Sequence, residues 1–321
     1  MTSDMTALVL GATGGIGGEV ARRLKARGWT VRALHRDAAR MAVNNPGFTW
    51  TQGDAMRAGD VIAAARGASL IVHAVNPPGY RDWGKLVLPM LDSTISAAQA
   101  SGASILLPGT IYNYGPDAFA DLDETSAQTP LTVKGAIRVE MERRLRIAYA
   151  TGTPVLIVRA GDFFGPNAAS SWFSQGLVKP CRPVTAIGYP GRPGTGHQWA
   201  YLPDVAETMV RLVGIGETLP PFATFHMEGH WDEDGSAMIG AIRRVVGNPR
   251  LKVRSFPWRL LALASPFVPL FRELREMRYL WETPIRMNNA RLVGKLGREP
   301  HTPLDKAVQA TLTGLGCLSA S

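Results

Sequence analysis

The sequence predicts an α/β protein built on a doubly wound parallel sheet, and three observations carry that expectation. From residue 7 to residue 160, short apolar runs alternate with helix-period patterns, the rhythm of repeated βαβ units. The first run, Ala7–Leu10 (ALVL), is continuous rather than alternating, as in a strand buried on both faces. A glycine-rich turn, Gly11-Ala-Thr-Gly-Gly-Ile-Gly17, separates that run from the first helical pattern.

The elements follow in order. Ile16, Val20 and Leu24 recur at i, i+4 and i+8, one face of a helix, which Gly28 ends. Thr30–Leu34 reads as the second strand and Phe48–Thr51 as the third. Val61–Ala65 reads as helix, and Leu70–Ala74 (LIVHA) as the fourth strand. Lys85–Ala100 is helical, Ile105–Leu107 is the fifth strand, Lys134–Ala150 is a helix rich in Arg and Glu, and Pro154–Val158 is the sixth strand. Residues 161–200 are dense in Gly, Pro and aromatic side chains and read as loops around a site. Asp204–Val213 is helical again, and 256–321 hold two or three helices, with Phe271, Leu274, Met277 and Trp281 on one face.

Composition narrows the function classes. A chain of 321 residues suffices for a large core or a core plus a smaller lobe. Hydrophobic residues at 45% and charged residues at 19% are globular values that exclude a disordered chain. Two cysteines, Cys181 and Cys317, form neither a disulfide framework nor a metal-ligand spacing, and the six histidines show no paired ligand spacing, so no metal is expected. The N-terminus MTSDM lacks a secretory pattern, which points to the cytoplasm. The apolar stretch Leu260–Leu270 contains Pro266 and Pro269 and is too short to span a bilayer; it reads as buried or partner-facing. The net charge of +9 comes from scattered arginines without a basic run, which argues for a site taking an anionic small molecule rather than for nucleic acid.

The glycine turn supplies that site. In a strand–turn–helix context, Gly11, Gly14 and Gly17 allow a tight turn, close approach of backbone to a pyrophosphate and close helix–strand packing. The helix start then presents free N–H groups and a positive dipole end to the phosphates. Gly11, Thr13, Gly14, Gly15, Ile16 and Gly17 are therefore the expected cofactor-binding positions of a Rossmann-type core that holds a nicotinamide dinucleotide. The second strand indicates which one. An NAD site places Asp or Glu at its end, whereas this chain reads Val31-Arg-Ala-Leu-His-Arg36, with Asp37 one residue later. Arg36 is placed to pair with a 2′-phosphate, so NADP(H) is expected over NAD(H).

Over nearly its whole length the chain resembles the extended or atypical short-chain dehydrogenases/reductases of the NAD(P)-dependent epimerase/dehydratase type. The glycine turn is similar to that family's nucleotide loop. Gly53-Asp54 resembles the Gly-Asp after the third strand, which implies an adenine contact for Asp54. His73-Ala-Val-Asn-Pro-Pro78 falls where the fourth strand ends beside the nicotinamide ribose, which implies cofactor contacts for Ala74, Val75 and Asn76. Gly109-Thr-Ile-Tyr-Asn-Tyr-Gly-Pro116 resembles the segment carrying the active-site Ser or Thr, so Thr110 takes the hydroxyl position. Arg159-Ala-Gly-Asp-Phe-Phe-Gly-Pro166 and Tyr201-Leu-Pro-Asp-Val-Ala206 resemble the turns toward substrate. The resemblance also implies a substrate lobe that is discontinuous and mainly C-terminal. The nucleotide core would span 1–165 with 196–230 returning to it, the lobe would lie mainly in 166–321, and the protein would be a homodimer.

One departure matters for chemistry. The family pairs a Tyr with a Lys four residues later. The lysine that fits here is Lys134, and Pro130 stands where the tyrosine belongs. Proline has no proton to give, while the ammonium of Lys134 remains able to hold a ribose. Tyr112 is an alternative proton donor, since it shares strand parity with Thr110 if that segment is extended. Asp162, Phe163, His197 and Tyr201 are the substrate-side candidates, and histidine suits acid–base work near neutral pH. Tyr114 and His73 read as core residues. Three functions stay open: an NADP-dependent oxidoreductase of a carbonyl/alcohol pair, an NAD-dependent sugar-nucleotide epimerase/dehydratase, and an NADP-binding sensor or assembly protein without chemistry.

Overall fold

The structure is a computed structural model that describes residues 5–77, 82–119, 122–168, 171–265 and 269–318, without the side chains of 264, 269–271 and 273. Its N-terminal half alternates as the apolar pattern requires. The elements are β1 (Thr6–Leu10), α1 (Gly15–Ala26), β2 (Thr30–His35), α2 (Ala38–Asn44), β3 (Thr49–Gln52), α3 (Ala58–Ala64), β4 (Leu70–His73), α4 (Trp83–Ser101), β5 (Ser104–Thr110), α5 (Val133–Ala150) and β6 (Val155–Ala160). Each expected strand is present to within three residues. Helix α2 is an addition that the pattern did not signal.

After β6 come β7 (Asp162–Phe164), β8 (Ala186–Tyr189), β9 (His197–Tyr201), α6 (Leu202–Gly214) and β10 (Phe222–His226). The chain continues through β11 (His230–Asp232), α7 (Ser236–Val246), β12 (Lys252–Ser255), α8 (Trp258–Ala264), α9 (Pro269–Glu276), α10 (Ala290–Leu296) and α11 (Leu304–Gly314). The loop reading of 161–200 is therefore corrected: three short strands lie there, without the continuous apolar run that marks β1 and β4. Among the described residues the C-terminal stretch holds four α-helices rather than two or three, and α9 ends at Glu276, where residues 277–281 tighten into a 3₁₀ turn. Met277 and Trp281 of the expected shared face are buried and Leu274 is partly buried, whereas the Phe271 side chain lies outside the described residues. In the apolar stretch, Leu261 is buried while Leu260 and Leu263 are exposed; its residues 266–268, with Pro266, lie outside the described set.

The main sheet has seven strands, all parallel, in the order β10-β6-β5-β4-β1-β2-β3. Strand order reverses between β1 and β4, so the crevice for a ligand opens beyond the carboxyl ends of those two strands. One apolar cluster fills each face of the sheet. Val9, Val20, Leu24 and Met209 belong to one; Leu10, Val61, Leu91 and Leu145 belong to the other. A third cluster, with Phe164, Phe173, Trp199 and Trp281 at full burial, lies under the smaller elements. There β9 pairs with β7 in parallel and with β11 antiparallel, and β8 pairs with β12. The seven-stranded doubly wound sheet thus places the glycine turn, residues 74–76 and Thr110 at one edge of the molecule. No helix among the described residues is long and apolar enough to cross a membrane.

Candidate functional site

The glycine turn is sterically committed. Gly11 has φ +90°, and a Cβ there would stand 2.4 Å from the carbonyl oxygen of Ala74. A Cβ on Gly17 would stand 2.3 Å from the Gly11 oxygen. These two glycines bring α1, the turn and the end of β4 together; nothing with a side chain fits. Gly14 differs, because a Cβ there would meet only the Gly11 oxygen at 3.3 Å. Thr13 and Gly14 are exposed, Gly15 and Ile16 half-buried, and Gly14 is the N-cap of α1 without a side-chain cap. The first N–H groups of α1 therefore face outward over an open surface, as a pyrophosphate requires.

At the end of β2 the two arginines separate. Arg32 donates to the carbonyls of Ala64 at 2.5 Å and Arg66 at 2.9 Å, which spends it on tying β2 to α3. Arg36 is exposed, and its guanidinium has no ion-pair partner among the described residues. Asp37 caps α2 by accepting from Arg40 N at 3.2 Å and pairs with the Arg40 side chain at 3.3 Å. The only acid at this strand end is thus engaged in a helix cap, and the free charge beside it is positive. Asp54 accepts from Met56 N at 3.0 Å in the turn after β3. Beyond β4, Ala74 and Val75 are half-buried and Asn76 is exposed; Pro78 lies outside the described residues.

Helix α5 carries charge into the interior. Lys134, Arg138 and Glu142 recur at i, i+4 and i+8 and are all buried, so one face of α5 presents two cations and then an anion to the sheet. Thr132 caps the helix by accepting from Gly135 N at 2.9 Å. Glu276 Oε1 accepts from Val133 N and, at 3.3 Å, from Lys134 N, so a carboxylate from α9 sits on the helix's positive end. The Arg138 guanidinium lies 5.1 Å from the Trp83 ring centroid. Burial, helped by the Arg138 charge, pushes His73 down to about 3. His73 is a core residue whose Nδ1 is 2.7 Å from Thr94 Oγ1.

Glu142 anchors the far end of the same face. Burial alone would raise its carboxyl; the Arg159 charge, together with hydrogen bonds from Arg159, Gln128 and Asn113, holds it below the usual carboxylate range. Arg159 meets it twice, Nε at 2.9 Å and Nη2 at 2.5 Å. Arg159 also donates to the Tyr114 hydroxyl, which lies 2.6 Å from His226 Nε2. Tyr114 is therefore a fully buried packing residue, as read from its position.

The residues able to move a proton gather beside β5. The strand stops at Thr110 and residues 111–113 wind into a 3₁₀ turn, so the strand-parity argument for Tyr112 is corrected. Its side chain nevertheless turns inward, and the hydroxyl donates to Asp162 Oδ1 at 2.9 Å. Asp162 is buried on β7, and its other oxygen lies 3.1 Å from His197 Nε2 on β9, close enough for charge but off the angle of a hydrogen bond. His197 Nδ1 meets the Leu280 carbonyl at 3.2 Å, which places the ring's N–H there and turns Nε2 toward the carboxylate. The ring stacks on Trp281 at 3.8 Å. A second tyrosine, Tyr279, is half-buried, and its buried hydroxyl has no hydrogen-bond partner among the described residues. Burial, with the negative charges of Asp162 and Glu276, raises that hydroxyl well above the ordinary tyrosine range.

The structure thus brings Tyr112, Asp162 and His197 together next to Thr110. Thr110 accepts from Tyr112 N at 3.3 Å. Phe163 alternates to the opposite side of β7 and packs on the sheet cluster. Tyr201 is not part of the group. It packs on Phe164 at 5.3 Å, and its hydroxyl is pushed up to about 12 by burial and by Asp204 and Glu19. Arg138, Glu276 and Tyr279 did not emerge from the sequence. Arg138 could have, since it stands four residues after Lys134. The other two reach the site only by long-range packing.

Comparison with known proteins then bears on the glycine turn and the sheet behind it. The NAD(P)H-binding family matches residues 11–165. This stretch is an NAD(P)-binding domain. Over the whole chain the solved structures show a shared fold. No curated protein matches the sequence. Among solved structures, a putative epimerase from Burkholderia cenocepacia superposes with TM-score 0.74 at 19% identity, over 99% of this chain and 100% of that one. The UDP-N-acetylglucosamine 4-epimerase from Bacillus cereus gives 0.70 at 15% identity, over 95% and 94%. A Bordetella bronchiseptica enzyme in complex with NAD+ gives 0.68 at 17% identity, over 97% and 98%. At these identities the likeness establishes the fold, and the NAD(P)-binding domain occupies the half of it that carries the glycine turn.

Proposed function

We propose that this chain is a cytoplasmic NADP-dependent oxidoreductase acting on a carbonyl/alcohol pair. The observation that carries the reading is the Tyr112–Asp162–His197 chain beside Thr110, which offers a proton path where Pro130 offers none. The cofactor fits the residues present: the turn from Gly11 to Gly17, open at Thr13 and Gly14, would cradle its pyrophosphate. Arg36 would meet a 2′-phosphate, Asp54 the adenine end, and Ala74, Val75 and Asn76, with the buried cations Lys134 and Arg138, the nicotinamide end. When bound, NADP(H) supplies or accepts the hydride at the substrate carbon.

The chain's own groups would do the rest. Thr110 donates a hydrogen bond to the substrate oxygen and fixes its place. Tyr112 exchanges a proton with that oxygen: as an alcohol is oxidised it takes the substrate proton and passes its own to the Asp162 carboxylate, which accepts from the tyrosine hydroxyl, and in the reduction the proton returns from Asp162 by the same path. The positive charges of Lys134 and Arg138 favour the negative charge that grows on the oxygen as hydride arrives. The Trp281–His197 stack would exclude water on the substrate side.

A second reading rests on the solved structures that are epimerases. The same chemistry run out and back on one carbon inverts a carbinol centre, with the cofactor returned unchanged. Titration with NADPH and NADH, followed by turnover on a panel of aldehydes, ketones and sugar nucleotides, separates the readings. Selective NADPH binding with net oxidation or reduction supports the oxidoreductase. NADH-favoured binding, or isomerisation without net cofactor change, overturns it. Tyr112→Phe should lower turnover roughly 10²–10⁴-fold while leaving NADPH affinity within about twofold; full turnover in that variant would remove Tyr112 from the mechanism.

A further inference from the structure

A cavity of about 500 Å³ lies away from the cofactor crevice. Its walls come from α5, β6, β10, α10 and the loop at 124–128, and none belongs to the glycine turn, to residues 74–76 or to the Tyr112 group. Four arginines face two glutamates there. Both glutamates are already engaged. Glu142 is held by Arg159, Asn113 and Gln128, and Glu124 accepts from His226 N at 2.8 Å. Arg159 is spent on Glu142, and Arg143 is held by Glu140 outside the cavity.

Glu124 has no cation paired with it among the described residues, so the formal surplus is one positive charge, carried by two arginines. Arg146 lies over the Phe222 ring at 4.3 Å and Arg291 over Phe225 at 5.4 Å, and neither has an ion-pair partner among the described residues. The rings orient the guanidiniums without neutralising them. Of the hydroxyls in the same walls, those of Thr125 and Ser126 donate to Asp123 Oδ1, and that of Thr224 adds a donor. A roomy polar cavity with two arginines outside any ion pair, one net positive charge and the Thr224 hydroxyl suits a phosphate, because guanidinium N–H pairs match its oxygens. The volume exceeds what one phosphate fills and falls in the range of small-ligand pockets.

We infer that this cavity is a second ligand site, taking a phosphorylated small molecule of sugar-phosphate size through Arg146 and Arg291. Arg146 lies twelve residues beyond Lys134 on α5, about 18 Å along the helix at 1.5 Å per residue, so the two sites can be filled together.

Ribose 5-phosphate is the probe, titrated calorimetrically into the full chain with and without saturating NADPH. One site per chain is expected, unaffected by NADPH, with adenosine giving no heat in the NADPH-saturated protein. Arg146 and Arg291 are exposed, so Arg146→Ala and Arg291→Ala should fold normally and each weaken binding at least tenfold, while Arg36→Ala leaves it unchanged. Ribose 5-phosphate displaced by NADPH, binding equal in the Arg146 and Arg291 variants, or no binding at millimolar concentration would each overturn the site. Failure of NADPH to bind would instead count against the proposed function and leave the variant comparison decisive here.

Discussion

The glycine turn and the Tyr112–Asp162–His197 group sit at the same edge of one sheet and are built in opposite ways. The turn is local. Its shape is set by seven consecutive residues and by contacts of Gly11 and Gly17 that no side chain can replace. The proton-moving group is assembled from β7, β9 and the turn after β5, and its tyrosine and aspartate are 50 residues apart. The first is held by backbone geometry. The second is held by the Tyr112–Asp162 hydrogen bond and by the aromatic packing of Trp281 on His197, with the buried Glu142–Arg159 pair next to it through Asn113. A site of the first kind survives sequence change outside its motif; a site of the second kind can be rebuilt from different residues, and here Pro130 stands where a tyrosine is usual in the resembled family.

Acid gives the largest expected effect on this contrast. Burial lowers His73 and His226 to about 3 and His230 to about 4, from 6.5. The unfolded chain takes up these protons near pH 6.5 and the folded chain does not, so stability is complete above that pH and is lost as pH falls toward 4. Between pH 7.5 and pH 5 each histidine should cost about 2 kcal/mol, read as a falling urea midpoint. His73 belongs to the nucleotide half; the other two belong to β10 and β11. A single transition that shifts as a whole means that the halves melt together, and two separating transitions mean that they do not.

Removing the buried anion comes next. Glu142→Ala leaves Arg159 buried and unpaired and should cost about 3–5 kcal/mol in urea unfolding. A cost below 1 kcal/mol would show that the reaction half does not depend on this pair.

The glycines sharpen the comparison from the other side. Gly17→Ala drives a Cβ into the Gly11 carbonyl and should destabilise the fold by about 1–3 kcal/mol. Gly14→Ala brings its Cβ only to a tight 3.3 Å from the Gly11 oxygen, so it should lower the melting temperature much less than Gly17→Ala, yet weaken NADPH about tenfold, because the added methyl group occupies ligand space. Equal NADPH affinity in Gly14→Ala would mean that the pyrophosphate lies elsewhere. The smallest effect is expected at Arg36, where Arg36→Ala should lower the preference for NADPH over NADH by about tenfold, or about 1.4 kcal/mol. An unchanged ratio would free Arg36 of that role.

Legibility followed the same division. All six strands from β1 to β6 and the helices between them, α2 excepted, were readable because each is a local apolar period. The short strands β7, β8 and β9 were not, since they lie among Gly, Pro and aromatic residues without the continuous apolar run that marks β1 and β4. Tyr112 was singled out for the wrong reason, strand parity, and reaches Asp162 through a 3₁₀ turn instead.

By itself the sequence determined the doubly wound sheet and the nucleotide turn, because strand burial, helical period and the need for glycine are properties of neighbouring residues. Only the tertiary structure decided that Asp37 is consumed as a helix cap while Arg36 stays open, that Glu276 and Tyr279 come to the start of α5, and that Asp162 lies between a tyrosine and a histidine. Those facts depend on which distant side chains share a low-dielectric interior, where charge and hydrogen bonding are strongest and where no local pattern records the partner.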